Sequence, residues 1–206
     1  KLGEPPVLLS EVKPSETSKY IDARLFNIGI FNSLTTSQLK ENKKTASVEY
    51  TSQVHNPYTI GKVKFPADSL YLLKVVASNA DKTLLKEGDD YKLDVLKNER
   101  SRIDAVLKDS GYYYFNADYI SFVGDTIKDT KVINIKLVLK PETPQRAIES
   151  YRIKNITVNP EYSLGDNRRR EAIDTLVVDS IVFYNREYII KPSVLLRSIY
   201  FRPYDK

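Results

Sequence analysis

One motif occurs twice in this chain, each time at the same distance from a glycine. Ile21-Asp22-Ala23-Arg24-Leu25 with Gly29 returns as Ile103-Asp104-Ala105-Val106-Leu107 with Gly111, an offset of 82 residues (21 to 103). Two echoes accompany it. Tyr58-Thr59-Ile60 with Val63 returns as Tyr151-Arg152-Ile153 with Ile156, and Leu84-Leu85-Lys86 with Asp89 returns as Tyr200-Phe201-Arg202 with Asp205. Phe31-Asn32 and Phe115-Asn116 follow the two glycines, two residues out of step. Such repetition marks a string of similar small domains, since a unit of roughly 80–90 residues can bury its own core. The expected division is residues 1–57 as the C-terminal part of a first unit and 58–148 as a complete unit plus linker. Residues 149–206 are expected to be the N-terminal part of a third. With no Met at its start, the chain reads as a piece of a longer protein.

The complete unit can be read element by element. Residues 59–65 place Ile60, Val63 and Phe65 in a short alternating run that stops at Pro66, a strand. Residues 69–80 carry Leu70, Leu73, Val76 and Ala77 at helical spacing, with Asp68 or Ser69 available to cap a free N–H. A turn at 86–90 leads into a second helix with Leu93, Leu96, Arg100, Ile103 and Leu107 on one face. It begins near Asp94 and ends at Gly111, a residue suited to the left-handed position after a helix. Glu99 with Arg102, and Arg100 with Asp104, stand at spacings for ion pairs on the helix surface. Residues 119–123 form a strand and 125–129 a turn. Ile133, Ile135, Leu137 and Leu139 then alternate in a last strand stopped by Pro141. The order is β-α-α-β-β, an α+β fold with two helices on one face of a three-stranded sheet. The first partial unit contributes a helix over 17–28 and strands over 33–40 and 45–54. The third contributes a strand over 152–158, a long insertion over 159–192 and a helix starting near Ser193.

Chemistry is sparse. Cysteine is absent, which excludes disulfides, thiolate metal sites and a Cys nucleophile. The single histidine, His55, precedes Asn56-Pro57, a turn signal, and no G-x-S-x-G elbow accompanies it. The seven glycines are scattered singly, so no phosphate loop is built. Asp89, Asp90 and Asp94 do not follow a calcium-loop pattern. The expectation is no catalytic centre, no metal and no cofactor. The net charge of +5 comes from 32 basic residues interspersed with 27 acidic ones. Even the densest basic run, Arg168-Arg169-Arg170, has Asp166 and Glu171 beside it and reads as a solvated face. No stretch approaches the roughly 18 consecutive apolar residues of a membrane helix. The opening Lys1-Leu2-Gly3-Glu4-Pro5-Pro6 lacks the apolar core of a secretory signal.

The ordered set of motifs resembles the POTRA domain, the periplasmic module of outer-membrane β-barrel assembly factors of the BamA/TamA type. The residues that carry the resemblance are Tyr58-x-Ile60-x-x-Val63, then Leu84-Leu85-Lys86-x-Gly88-Asp89-x-Tyr91, then the helix closing on Gly111-Tyr112-Tyr113. Gly3-Glu4-Pro5-Pro6-Val7-Leu8-Leu9, Tyr112-Tyr113-Tyr114-Phe115-Asn116 and Pro141-Glu142-Thr143-Pro144 look like the Bacteroidetes branch. The resemblance implies tandem POTRA units on the periplasmic side of a Gram-negative outer membrane, below a C-terminal β-barrel not contained in these residues. It implies as partners unfolded outer-membrane proteins and accessory lipoproteins or chaperones, but no nucleic acid.

In the POTRA arrangement the second strand lies at a sheet edge, here Tyr119-Ile120-Ser121-Phe122-Val123, matched by 33–40 in the first unit. An exposed edge presents unpaired backbone groups to which an extended chain can add. Alternation turns Ile120 and Phe122 toward the helices and Tyr119, Ser121 and Val123 outward. Ser121→Pro removes a receptor donor if that N–H points outward. Two other classes fit less well. A basic α+β nucleic-acid module lacks its Gly-x-x-Gly loop or aromatic strand pattern here, and an adhesion module would bind carbohydrate through the tyrosine clusters.

Overall fold

The computed structural model describes residues 8–66, 70–127, 130–160, 174–185 and 190–205. The expected caps Asp68 and Ser69, residues 3–7, the end of the turn at 128–129 and the basic run at 168–170 lie outside them. The elements in chain order are α1 (Pro14–Asn27), β1 (Leu34–Glu41), β2 (Ala46–Gln53), β3 (Thr59–Lys64), α2 (Tyr71–Ser78) and α3 (Leu93–Asp109). They continue with β4 (Ile120–Thr126), β5 (Val132–Leu139), β6 (Ile156–Val158), β7 (Asp174–Val178), β8 (Ile181–Asn185) and α4 (Pro192–Leu196). Two compact bodies result, residues 1–105 with 116–143, and residues 106–115 with 144–206.

The first body contains the β-α-α-β-β order. Its three-stranded sheet has the order β3-β5-β4, with β5 parallel to β3 and antiparallel to β4. Ile60, Leu85, Leu96 and Ile135 form one buried cluster, against which Val63, Tyr91, Val95 and Phe122 pack. Leu96, Ile103, Leu107, Ile133, Ile135 and Leu137 are buried as their periodicity requires, while Leu93 and Leu139 are half-buried. α1 and the hairpin β1–β2, paired from Leu34↔Gln53 to Glu41↔Ala46, belong to the same body.

The repeat persists in the backbone even where side chains have changed. After α1, Gly29 N–H donates to the Phe26 carbonyl (3.1 Å) and Ile30 N–H to the Leu25 carbonyl (3.0 Å). After α3, Gly111 donates to Lys108 (3.0 Å) and Tyr112 to Leu107 (2.9 Å), the same Schellman closure at the same offset. Gly29 and Gly111 take φ of 87° and 93°. The Gly29 carbonyl accepts from Tyr58 N–H (2.9 Å), and the Gly111 carbonyl from Tyr151 N–H (2.7 Å). The fainter echo is equally real. Ile60 donates to the Asp89 carbonyl and accepts from Gly88 N–H, and Ile153 donates to the Asp205 carbonyl and accepts from Tyr204 N–H. Tyr204 even takes φ of 73° where Gly88 takes 90°, a conformation that strains a residue with a Cβ.

Three expectations need correction. Glu99 is not on the surface but fully buried. Its carboxylate accepts from Leu84 N–H (2.9 Å), from the Thr83 hydroxyl (2.9 Å), and from Arg102 through Nε (2.9 Å) and Nη2 (2.7 Å). It thereby fastens the 83–84 segment to α3. Arg100 reaches beyond its own helix, to the Asp118 carboxylate and the Ala117 carbonyl. The strand after α3 starts at Ile120 rather than Tyr119, because Ala117–Tyr119 make a 3-10 turn, and it runs on to Thr126.

In the second body the residues read as an insertion contain a hairpin. β7 and β8 pair antiparallel through Asp179 and Ser180, both at positive φ (51° and 63°), as a two-residue type I′ turn requires. β8 also runs parallel to β6, giving the order β6-β8-β7. Ile156, Ile181 and Phe183 are buried there, with Leu176, Leu195 and Ile199 packed around them.

Glu99→Ala leaves a half-buried guanidinium, a hydroxyl and an N–H without their acceptor, so urea denaturation should show a loss of about 2–4 kcal/mol. Gly29→Ala should destabilise more than Gly88→Ala, which itself costs about 1–2 kcal/mol. Both glycines have positive φ, but a Cβ at Gly29 would stand 3.0 Å from the Tyr91 carbonyl oxygen, whereas nothing lies within 4 Å at Gly88.

Candidate strand-binding edge

β4 lies at the border of its sheet because β5 occupies the middle. The ladder runs unbroken from Ile120↔Leu139 to Thr126↔Ile133. Two backbone hydrogen bonds bracket it. Lys140 N–H donates to the Tyr119 carbonyl (2.8 Å), and Ile127 N–H to the Val132 carbonyl (3.0 Å). Bonded and non-bonded positions alternate along an antiparallel pair. Ser121, Val123 and Asp125 therefore turn their backbone groups toward β5, together with the Tyr119 carbonyl and the Ile127 N–H, while Tyr119 N–H goes to the Asn116 carbonyl and the Ile127 carbonyl accepts from Thr130 N–H. Ile120, Phe122, Gly124 and Thr126 turn theirs to the outer edge. Ile120 N–H is already given to the Ala117 carbonyl, which leaves Phe122, Gly124 and Thr126 as outward donors. Among the described residues no strand pairs with this edge.

Side chains hold the strand in that phase. Ile120 is fully buried and Phe122 packs on the core cluster, while Val123 is exposed. Gly124, opposite Ile135 on the inner face, leaves room that the Ile133 side chain fills. The register corrects the expectation about Ser121. Its N–H faces Val138 on β5, so a proline there breaks the ladder rather than the edge. Nothing local in the sequence reports this phase, which the partner strand sets.

The matching edge belongs to β1. Asn42 N–H donates to the Thr45 carbonyl (2.7 Å), and the same alternation points Thr35, Ser37, Leu39 and Glu41 outward. Here the repeat motif shows its use. Asp22 accepts Thr35 N–H (3.2 Å) and the Thr35 hydroxyl (2.6 Å), and that hydroxyl also meets Ser52 Oγ (2.8 Å). The Thr35 hydroxyl, more than its N–H, holds the Asp22 carboxyl below the usual carboxylate range. The other motif residues divide between core and surface. Ile103 and Leu107 are buried, Ile21 and Leu25 half-buried, and Ala23 and Ala105 exposed, with Asp104 half-buried on α3.

Aromatic side chains collect after both helix-closing glycines. Phe31 lies 4.7 Å from Phe26, 4.9 Å from Tyr58 and 5.1 Å from Tyr91, centroid to centroid. In the second body Tyr114 lies 5.1 Å from Tyr113 and 5.2 Å from Tyr151, with the Arg146 guanidinium 5.2 Å from its ring. His55 is exposed. Among the described residues no three His, Cys, Asp or Glu side chains gather to hold a metal, and no helix is long and apolar enough to cross a membrane.

Neither a protein-family model nor a curated protein sequence matches the chain. The solved structures it is similar to include Haemophilus influenzae BamA POTRA3-5, at TM-score 0.40 and 14% identity, covering 93% of this chain and 62% of that one. BamA from Haemophilus ducreyi lacking POTRA domains 1-3 gives 0.38 and 17%, over 61% of this chain and 22% of that one. POTRA1-3 of the periplasmic domain of Omp85 from Anabaena gives 0.33 and 14%, over 92% and 64%. The chain thus spans less than two thirds of each. These superpositions are partial, and the β-α-α-β-β assignment stands on the strand order and repeat geometry above.

Residue-resolved amide exchange by NMR tests the phase of β4. Ser121 and Val123 should exchange slowly, and Phe122, Gly124 and Thr126 fast. The opposite pattern would place the ladder bonds one residue over.

Proposed function

We propose that this chain is part of a POTRA string of an outer-membrane β-barrel assembly factor of the BamA type, on the periplasmic side of a Gram-negative outer membrane. The division at residues 57/58 and 148/149 goes with that reading, as does the Bacteroidetes-like branch suggested by residues 112–116 and 141–144. Its role is binding rather than catalysis. Unfolded outer-membrane proteins, and accessory lipoproteins or chaperones, are the partners, and a barrel outside these residues supplies the membrane attachment.

The observation that carries the reading is the outer edge of β4. Three outward N–H groups stand on a strand whose inner side chains are fixed in a core, so the backbone is held extended before a ligand arrives. The strand has no Pro, and its charge comes only at Asp125, near its end. An incoming chain pairs through its backbone, which makes recognition nearly independent of its sequence. Its own unpaired polar groups are satisfied at the same time, as an unfolded barrel strand requires.

Thr126→Pro is the direct perturbation, since Thr126 is exposed and its N–H faces outward. Loss of one backbone bond of about 0.5–1.5 kcal/mol should weaken binding of a barrel-strand peptide by roughly 2–10-fold, read by fluorescence anisotropy, with the circular dichroism unchanged. Ser121→Pro should instead lower the unfolding midpoint. Equal peptide affinity in wild type and Thr126→Pro, with the fold intact, contradicts β4 as the receptor.

A further inference from the structure

The start of the β1 edge opens into a cleft of about 330 Å³ lined by Asp22, Ala23, Phe26, Asn27, Phe31 and Ser33. We propose that this cleft is a subsite for a lysine or arginine side chain of the extended chain that adds to β1, an inference that rests on the strand-addition reading above.

The electrostatics come first. Thr35 holds the Asp22 carboxyl below the usual carboxylate range, and among the described residues no ion pair engages it. Thr35 takes two of the roughly four acceptor positions of the carboxylate and the Ser33 hydroxyl also bonds to it, which leaves room for one further donor. The aromatic walls suit the same guest. Phe26 and Phe31 stand 4.7 Å apart with planes tilted by 51°, and Phe26 is 52% exposed. A cation lying on the exposed Phe26 ring and beside a carboxylate gains from both.

The repeat supplies an independent argument. At the offset of 82 that aligns Asp22 with Asp104, Phe26 aligns with Lys108. In α3 the position four residues after the aspartate is thus a lysine, at the spacing of a helical ion pair. In α1 the same position is an aromatic, so the first repeat keeps the carboxylate but lacks that lysine. The cleft is also in register with the edge. Ser37 points its backbone outward and its side chain toward α1, as does Thr35, whose N–H is already given to Asp22, and a residue paired opposite Ser37 shares that face. An added strand continuing past Thr35 toward Ser33 therefore delivers an inner-face side chain over Asp22 and Phe26.

The experiment uses the 206-residue chain and alternating barrel-strand peptides carrying one lysine near either end, against the same peptides with norleucine. Affinity is read by isothermal titration and the edge by ¹⁵N amide shifts. The lysine peptide should bind about 5-fold more tightly, with Ser37 and Leu39 amides shifting. Asp22→Asn should abolish that preference. Phe26→Lys, a change at a half-exposed position to the residue of the other repeat, should abolish it too, with the circular dichroism showing the fold retained. In both variants the Ser37 and Leu39 shifts should persist. Equal affinity for lysine and norleucine peptides in the wild type, or a preference that survives either substitution, overturns the subsite while leaving strand addition standing. Unshifted Ser37 and Leu39 amides with every peptide overturn it together with addition at β1, and shifts at Phe122, Gly124 and Thr126 in that case retain addition at β4.

Discussion

The last strand of the complete repeat sits in the middle of its sheet. β5 pairs in parallel with β3 on one side and antiparallel with β4 on the other, so both of its backbone edges are consumed. β4, which precedes it in the chain, is thereby forced to the border with every second residue facing outward. Ile135 and Leu137 on β5 anchor the core from below, and Ile120 and Phe122 on β4 follow them to the same face. The receptor property proposed for β4 is thus a consequence of strand order. It needs no special side chains at the edge, only that none blocks it.

What keeps successive repeats alike is backbone geometry more than residue identity. The helix closure at Gly29 and Gly111, the carbonyl of that glycine accepting from the next tyrosine, and the two-way pairing of Ile60 and Ile153 recur with matched partners. Side chains around this frame have diverged freely. Gly88 has become Tyr204 despite the unfavourable φ, and Phe26 stands where the other repeat has Lys108. A frame fixed by main-chain bonds permits each unit its own surface chemistry.

The repeat, the element order and most of the core were legible because they depend on periodicity within short windows. The helix face of Leu96, Ile103 and Leu107 and the alternation from Ile133 to Leu137 are such cases. The misreadings share one physical origin, in that each depended on a partner distant in sequence. Glu99 at i,i+3 from Arg102 looks like a surface pair, and only the approach of Thr83 and Leu84 buries it. The outward phase of Phe122 rather than Ser121 is dictated by where Lys140 and Val132 meet the strand. Asp22 gives no sign in sequence that Thr35, thirteen residues on, will take its carboxylate. The hairpin β7–β8 differs, since its alternating residues flank an Asp-Ser turn and the signal was present within the segment read as an insertion.

The central claim is that an extended chain joins the sheet as a fourth strand beside β4. A structure of the 206-residue chain bound to a barrel-strand peptide tests it most directly. The account predicts the order β3-β5-β4-peptide, with backbone hydrogen bonds from Phe122, Gly124 and Thr126 to the peptide and the β4–β5 register unchanged. A peptide bound as a helix, or seated away from the outer edge of β4 with those three N–H groups still facing solvent, would contradict it.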